Sequence, residues 1–155
     1  MASRKHQRGF TIIEILISVS ILLLLIGIIV PSFSSFRRMV VVRTAVENTS
    51  ALLERARIET TASYGASQYG VHFESDRVVY FKGGTYSASD PDNETYELDQ
   101  TLSISTIDLN GGGDDVVFSR LTGATDAYGT LTFMTTDNAS TTINIYQSGT
   151  IDINE

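Results

Sequence analysis

An apolar run near the start of the chain limits what the chain can become. Residues 15–36 hold no charge, and residues 12–30 hold one, Glu14. A helix of that second stretch, at about 1.5 Å per residue, is roughly 28 Å long, close to the hydrocarbon thickness of a bilayer. It is long for the core of a secretory signal peptide, and Ile29-Val30-Pro31-Ser32-Phe33 offers no small-x-small cleavage site. Arg4, Lys5 and Arg8 precede it, which places the N-terminus in the cytoplasm by the positive-inside rule. The reading is a single-pass membrane segment with the bulk of the chain on the other side.

The rest of the chain has a different character. Residues 64–155 are rich in Thr, Ser, Asp and Gly and carry fourteen acids against Arg77, Lys82 and Arg120. A field of that sign repels phosphate, so nucleic acid is disfavoured as a partner. There is no cysteine, hence no disulfide framework and no thiol chemistry.

Glu14 is the anomaly of the apolar run. A carboxylate there costs on the order of 3 kcal/mol at the centre of a bilayer and less near the interface. Either it stays at headgroup depth, or it finds a cation in an assembled state. Gly9-Phe10-Thr11-Ile12-Ile13-Glu14, behind a short basic leader, closely resembles the class III signal of type IV prepilins and type II secretion pseudopilins. The resemblance implies cleavage of the Gly9–Phe10 bond by a prepilin peptidase and N-methylation of Phe10. It also implies that Glu14 serves assembly, by pairing with the N-terminal amine of a neighbouring subunit. Gly9 suits such a cut because its bare backbone enters a narrow cleft. A carboxylate partner also offsets part of the burial cost of the new amine.

Gly27 and Pro31 lie near the far end of the run. Pro31 lacks an N–H and clashes with the preceding turn, so a kink or local break is expected there. Phe33, Phe36, Val40, Ala45, Leu52, Leu53, Ala56 and Ile58 then recur at roughly helical spacing. The helix is expected to reach about Thr60, with Tyr64-Gly65 ending it. Its distal half should be the side on which a sheet packs.

Beyond it, residues 70–73, 77–81, 101–109, 115–120, 130–135, 141–146 and 150–153 read as strands, dominated by Val, Ile, Thr, Phe and Tyr. Glu74-Ser75-Asp76, Asp137-Asn138-Ala139-Ser140 and Gln147-Ser148-Gly149 read as hairpin turns, and Gly83-Gly84 as another turn. Residues 85–94 read as an exposed loop. The fold class is therefore α+β: a long N-terminal transmembrane helix with an antiparallel β-sheet domain packed on its C-terminal half, as in pilins. The divisions are a leader, 1–9; a transmembrane and assembly helix, 10–31; its amphipathic continuation, 32–63; and an extracytoplasmic sheet domain, 64–155. The stretch from Val117-Phe118-Ser119 through Gly129-Thr130-Leu131 to Gly149 also looks like the closing strands of the GspH/FimT minor pseudopilins.

No catalytic constellation is evident, so the chain reads as a non-enzyme. His72 stands alone in a strand and reads as a sheet-surface residue. Asp108, Asn110, Asp114 and Asp115, on a glycine-flexible loop, suit a hard cation such as Ca2+. The competing reading is an exposed Asn-Gly turn with acidic flanks. The resemblance implies a structural subunit of a type IV pilus or type II secretion system. Its partners would be other pilin or pseudopilin subunits, a prepilin peptidase, an assembly platform protein and its ATPase. It would sit in a bacterial inner membrane and then in a periplasmic or cell-surface filament. The rival is a membrane-anchored extracytoplasmic binding module that never polymerises.

Overall fold

The computed structural model describes residues 10–154, and for 28–38 the backbone alone. The chain divides into two compact units, residues 1–37 and 38–155. Helix α1, Ile12–Thr61, contributes to both.

In the first unit, α1 carries aliphatic side chains all round. Ile12, Ile13, Ile15, Leu16, Ile17, Val19 and every residue from Ile21 to Ile26 are exposed. The transmembrane expectation is corrected here. Among the described residues no helix is long and apolar enough to cross a membrane. The aliphatic run is not continuous along the helix, and it carries Glu14 in its first turn. Ser18 and Ser20 interrupt it, each donating its hydroxyl to a carbonyl one turn back. The single-pass inner-membrane topology inferred from that run falls with it.

The second unit holds the rest of α1 and two four-stranded antiparallel sheets. The strands are β1 (Tyr69–Phe73), β2 (Arg77–Lys82), β3 (Glu94–Glu97), β4 (Leu102–Leu109), β5 (Asp115–Val117), β6 (Gly129–Thr135), β7 (Ser140–Ile145) and β8 (Ile151–Asn154). Their orders are β3-β2-β1-β5 and β4-β6-β7-β8. The three expected hairpin turns all form. Glu74 N–H bonds Arg77 O, Asn138 takes a positive φ of 63°, and Gly149 one of 80°.

One core joins the three layers. Val42, Ala45, Val46, Thr49, Leu53, Ala56 and Thr60 are buried at three- and four-residue intervals along α1, the spacing that keeps side chains on one helical face. Val71, Phe73, Val78 and Tyr80 meet them from the first sheet, and Leu131, Phe133, Ile143 and Ile145 from the second. Alternation along each strand points these residues inward. Thr60 is buried without loss, because its hydroxyl accepts the Tyr69 N–H at 2.8 Å.

The opposite face of the first sheet is also covered. Val79 and Phe81 are buried, and the ring of Tyr86 lies 5.6 Å from that of Phe81. Hence the stretch read as a loop over 85–94 is not exposed throughout. Tyr86 is half-buried, and Glu94 opens β3, a strand the sequence reading lacks. Three of the four sheet edges are blunted, each in a different way. The edge strand β3 presents Glu94 and Glu97, β5 has three residues, and β4 is bulged between Ile104 and Thr106.

Candidate functional site

The segment that the sequence singles out starts at Phe10, whose ring is 80% exposed. Thr11 caps the helix: its side-chain oxygen accepts the Glu14 N–H at 3.3 Å, and its carbonyl accepts the Ile15 N–H at 3.2 Å. Glu14 is therefore the third residue of α1, in its first turn. The spacing Thr-x-x-Glu is that of a capping box, of which the threonine half is formed. A carboxylate in this turn is also favoured by the helix dipole. Glu14 thus has a local reason to be here, independent of any partner. Thr11 is the residue the sequence reading missed, and the Thr-x-x-Glu spacing was the available signal.

Gly9 and the basic leader lie outside the described residues, and so does the side chain of Pro31. The backbone at Gly27 and Pro31 is assigned to α1. A Cβ added at Gly27 would meet nothing within 4 Å, so no packing contact requires glycine there. What the segment presents is an aliphatic surface on every side of a helix with one acid at its start. A helix apolar all round is built to be covered.

The other sequence candidates are placed as follows. Asp108 is exposed in β4. The Asn110 amide donates to the Asp126 carbonyl at 2.9 Å. The Asp114 carbonyl accepts the Phe73 N–H at 2.8 Å. The Asp115 carboxylate shares a 2.5 Å hydrogen bond with His72 Nδ1. Among the described residues no group of three or more His, Cys, Asp or Glu is placed to hold a metal ion. His72, read as standing alone, has partners on three sides. Besides Asp115, Glu74 Oε1 lies 3.7 Å from Nε2, and the Tyr86 ring stacks at 3.9 Å. No sequence spacing brings together residues 43 apart in the chain, so this cluster was legible only in three dimensions.

A second polar cluster ties β3 to α1. The Arg55 guanidinium donates to both oxygens of Glu94, at 2.7 and 2.9 Å, and to Glu59 at 2.8 Å. It lies 4.4 Å from the centroid of the Tyr80 ring, within cation–π range. The Tyr80 hydroxyl donates to Glu59 at 2.6 Å. Burial, then the Glu59 carboxylate, push the Tyr80 hydroxyl well above its ordinary range. Burial alone would raise Glu59, but the Tyr80 hydroxyl and Arg55 outweigh it and hold that carboxyl low. Arg55 holds Glu94 low in the same way.

Residues 4–30 match the family described as a prokaryotic N-terminal methylation motif. Two curated proteins of Pseudomonas aeruginosa, each described as a fimbrial protein, are 31% identical to the chain over 111 residues. The alignment covers 66% of this chain and 72% of each relative. No solved structure matches the chain.

Proposed function

From its membership of the fimbrial, pilin-like protein family, to which this chain belongs, we propose that it is a structural subunit of a filament, assembled through the exposed aliphatic face of α1. A prepilin peptidase cuts between Gly9 and Phe10, and Phe10 becomes the methylated first residue. Glu14 then pairs with the amine of a neighbouring Phe10. Within the family the chain is a minor subunit of the GspH/FimT kind, serving a type II secretion system or a type IV pilus. An assembly ATPase and platform protein drive its incorporation.

One observation carries the reading. The methylation motif coincides with the only long stretch of described residues whose aliphatic side chains are exposed on every side. Each Leu or Ile covered by a neighbour contributes about 1.5–3 kcal/mol. The eleven exposed Leu and Ile of the segment together outweigh the ordering cost of association, which is about 4–15 kcal/mol. Nothing comparable supports the binding-module alternative.

The test is the intact mass of the protein from the cells that make it, read beside the variant Glu14→Gln. Glutamine also serves at this position of a capping box, so the helix start is kept while the charge is lost. The expected result is a chain beginning at N-methylated Phe10, incorporated as wild type and excluded from filaments as Glu14→Gln. Retention of the leader in cells with an active prepilin peptidase, or normal incorporation of Glu14→Gln, overturns the proposal.

A further inference from the structure

The turn after β4 carries chemistry that neither the fold nor the N-terminal segment uses. Of the six asparagines in the chain, only Asn110 precedes a glycine. The side-chain carbonyl of an asparagine is open to attack by the backbone nitrogen of the next residue, and a glycine there has no Cβ to obstruct the approach. Residues 110–114 are all exposed. A Cβ added at Gly111, Gly112 or Gly113 would meet nothing within 4 Å, and Gly111 and Gly112 take φ values of 91° and 70°. The Gly111 N–H holds no hydrogen bond among the described residues. The nucleophile is therefore unengaged, open to solvent and next to its target.

The other asparagines each precede a residue with a side chain. Asn138 is also exposed at a turn, but the next N–H, of Ala139, donates to Thr135 Oγ1 at 3.1 Å. Asn93 is half-buried, and its Nδ2 donates to the Ser87 carbonyl at 2.8 Å. Asn48 lies within α1, and Asn144 within β7, ahead of the branched and buried Ile145. Asn110 also holds a contact that loss of its amide would remove. Its Nδ2 donates to the Asp126 carbonyl at 2.9 Å, beside the bond from its N–H to the Tyr128 carbonyl at 2.8 Å. Those two bonds join the β4–β5 connection to the segment that leads into β6.

We propose that Asn110 is a self-modification site, where the chain turns its own amide into a carboxylate and releases the β4–β5 loop from Asp126. The Gly111 N–H gives its proton to solvent base, and the nitrogen forms a bond to Asn110 Cγ. The Cγ–Nδ2 bond breaks, and Nδ2 leaves as ammonia with a proton from water. The product is a cyclic imide. Water then adds to either of its carbonyls and opens the ring, with no change of oxidation state. Opening at Cγ restores the ordinary main chain with an aspartate at 110. Opening at the main-chain carbonyl routes the chain through the side-chain carbon, as isoaspartate. Either product is a carboxylate, which has no N–H to donate, so the bond to Asp126 is lost and oxygen faces oxygen instead. The new charge joins Asp108, Asp114 and Asp115 in one stretch, and like charges push the loop outward. The reaction involves no residue of the N-terminal segment, so it stands or falls apart from the processing at Phe10.

The experiment holds the purified full chain at mildly alkaline pH, folded in one series and in denaturing urea in another, and maps its peptides by mass at intervals. The expected result in the folded series is conversion at Asn110, to a mixture of aspartate and isoaspartate, at a rate within about tenfold of that in urea. A slower folded rate means that the loop shields its asparagine, and overturns the proposal. Conversion of another asparagine of the folded chain at the same rate or faster overturns it as well. A second arm takes Asn110→Asp, which carries the ordinary product from the start. The amides of residue 110 and of Gly112, the latter bonded to the Leu109 carbonyl at 2.9 Å, should exchange faster than in the wild type, while those of β1 and β2 are unchanged. Exchange at the wild-type rate in that variant overturns the release of the loop.

Discussion

Two residues show opposite uses of the left-handed backbone region. Gly149 sits there, at φ 80°, in the β7–β8 turn, with the Gly123 carbonyl so close that an added Cβ would overlap it. Leu121 sits there at the solvent, carrying a side chain that the fold does not require. The consequences differ in sign. Gly149→Ala adds strain and drives the turn off loop 119–123 and off Arg57, whose Nη2 donates to the Ser148 carbonyl at 3.3 Å. The expected loss is about 2–4 kcal/mol, read by urea unfolding. A loss within error would mean that the close approach relaxes at no cost. Glu14 shows a third situation, a residue with two sufficient reasons. The helix start favours a carboxylate at its third position, and so does a cationic neighbour. Alanine would remove both at once, whereas glutamine separates them.

Among the elements, β3 depends most on charge. Its main-chain pairing to β2 is reinforced by Arg55, held between Glu94 and Glu59. Both carboxyls lie below their ordinary value of 4.5 when folded. A depressed folded value means that the contribution is complete above the unfolded value and is lost as pH falls through the folded one. Exchange of the Thr95 and Tyr96 amides should therefore be flat from neutral pH down to about 5, once corrected for intrinsic rates, and accelerate below about 4. Arg55→Met should abolish that acceleration; if it persists in the variant, another group is responsible. The same strand marks where sequence reading stops. Leu131 and Phe133, or Ile143 and Ile145, announce their strands by alternation alone. In β3 only Tyr96 is large and apolar, and Glu94 and Glu97 resemble loop chemistry until Arg55 is brought to them from 39 residues away. On α1 the periodicity was legible but its phase was not. Val40 and Ile58 fit the apolar pattern as well as Val42 and Val46 do, yet only the latter pair is buried. Which of two apolar faces meets the sheets is decided by those sheets. Likewise the Asp108 to Asp115 stretch showed its acids but not that Asp115 is committed to His72.

For the whole molecule, the core cluster draws on nothing before Val41 among the described residues. A chain beginning at Arg38 should therefore unfold cooperatively, with a melting temperature within about 4 °C of the full chain. Noncooperative melting would show that residues before 38 belong to the folding unit. The two units carry different tasks on this account, attraction in one and shape in the other. The blunted sheet edges then take on a role in traffic. Subunits drawn together by their aliphatic segments reach very high local concentrations, where an open strand edge would splice neighbouring sheets into an aggregate that does not come apart. The bulge in β4, the brevity of β5 and the two glutamates of β3 withhold that splice at three of the four edges. Copies so insulated can be stored side by side, added and withdrawn, and each leaves with its own sheets intact.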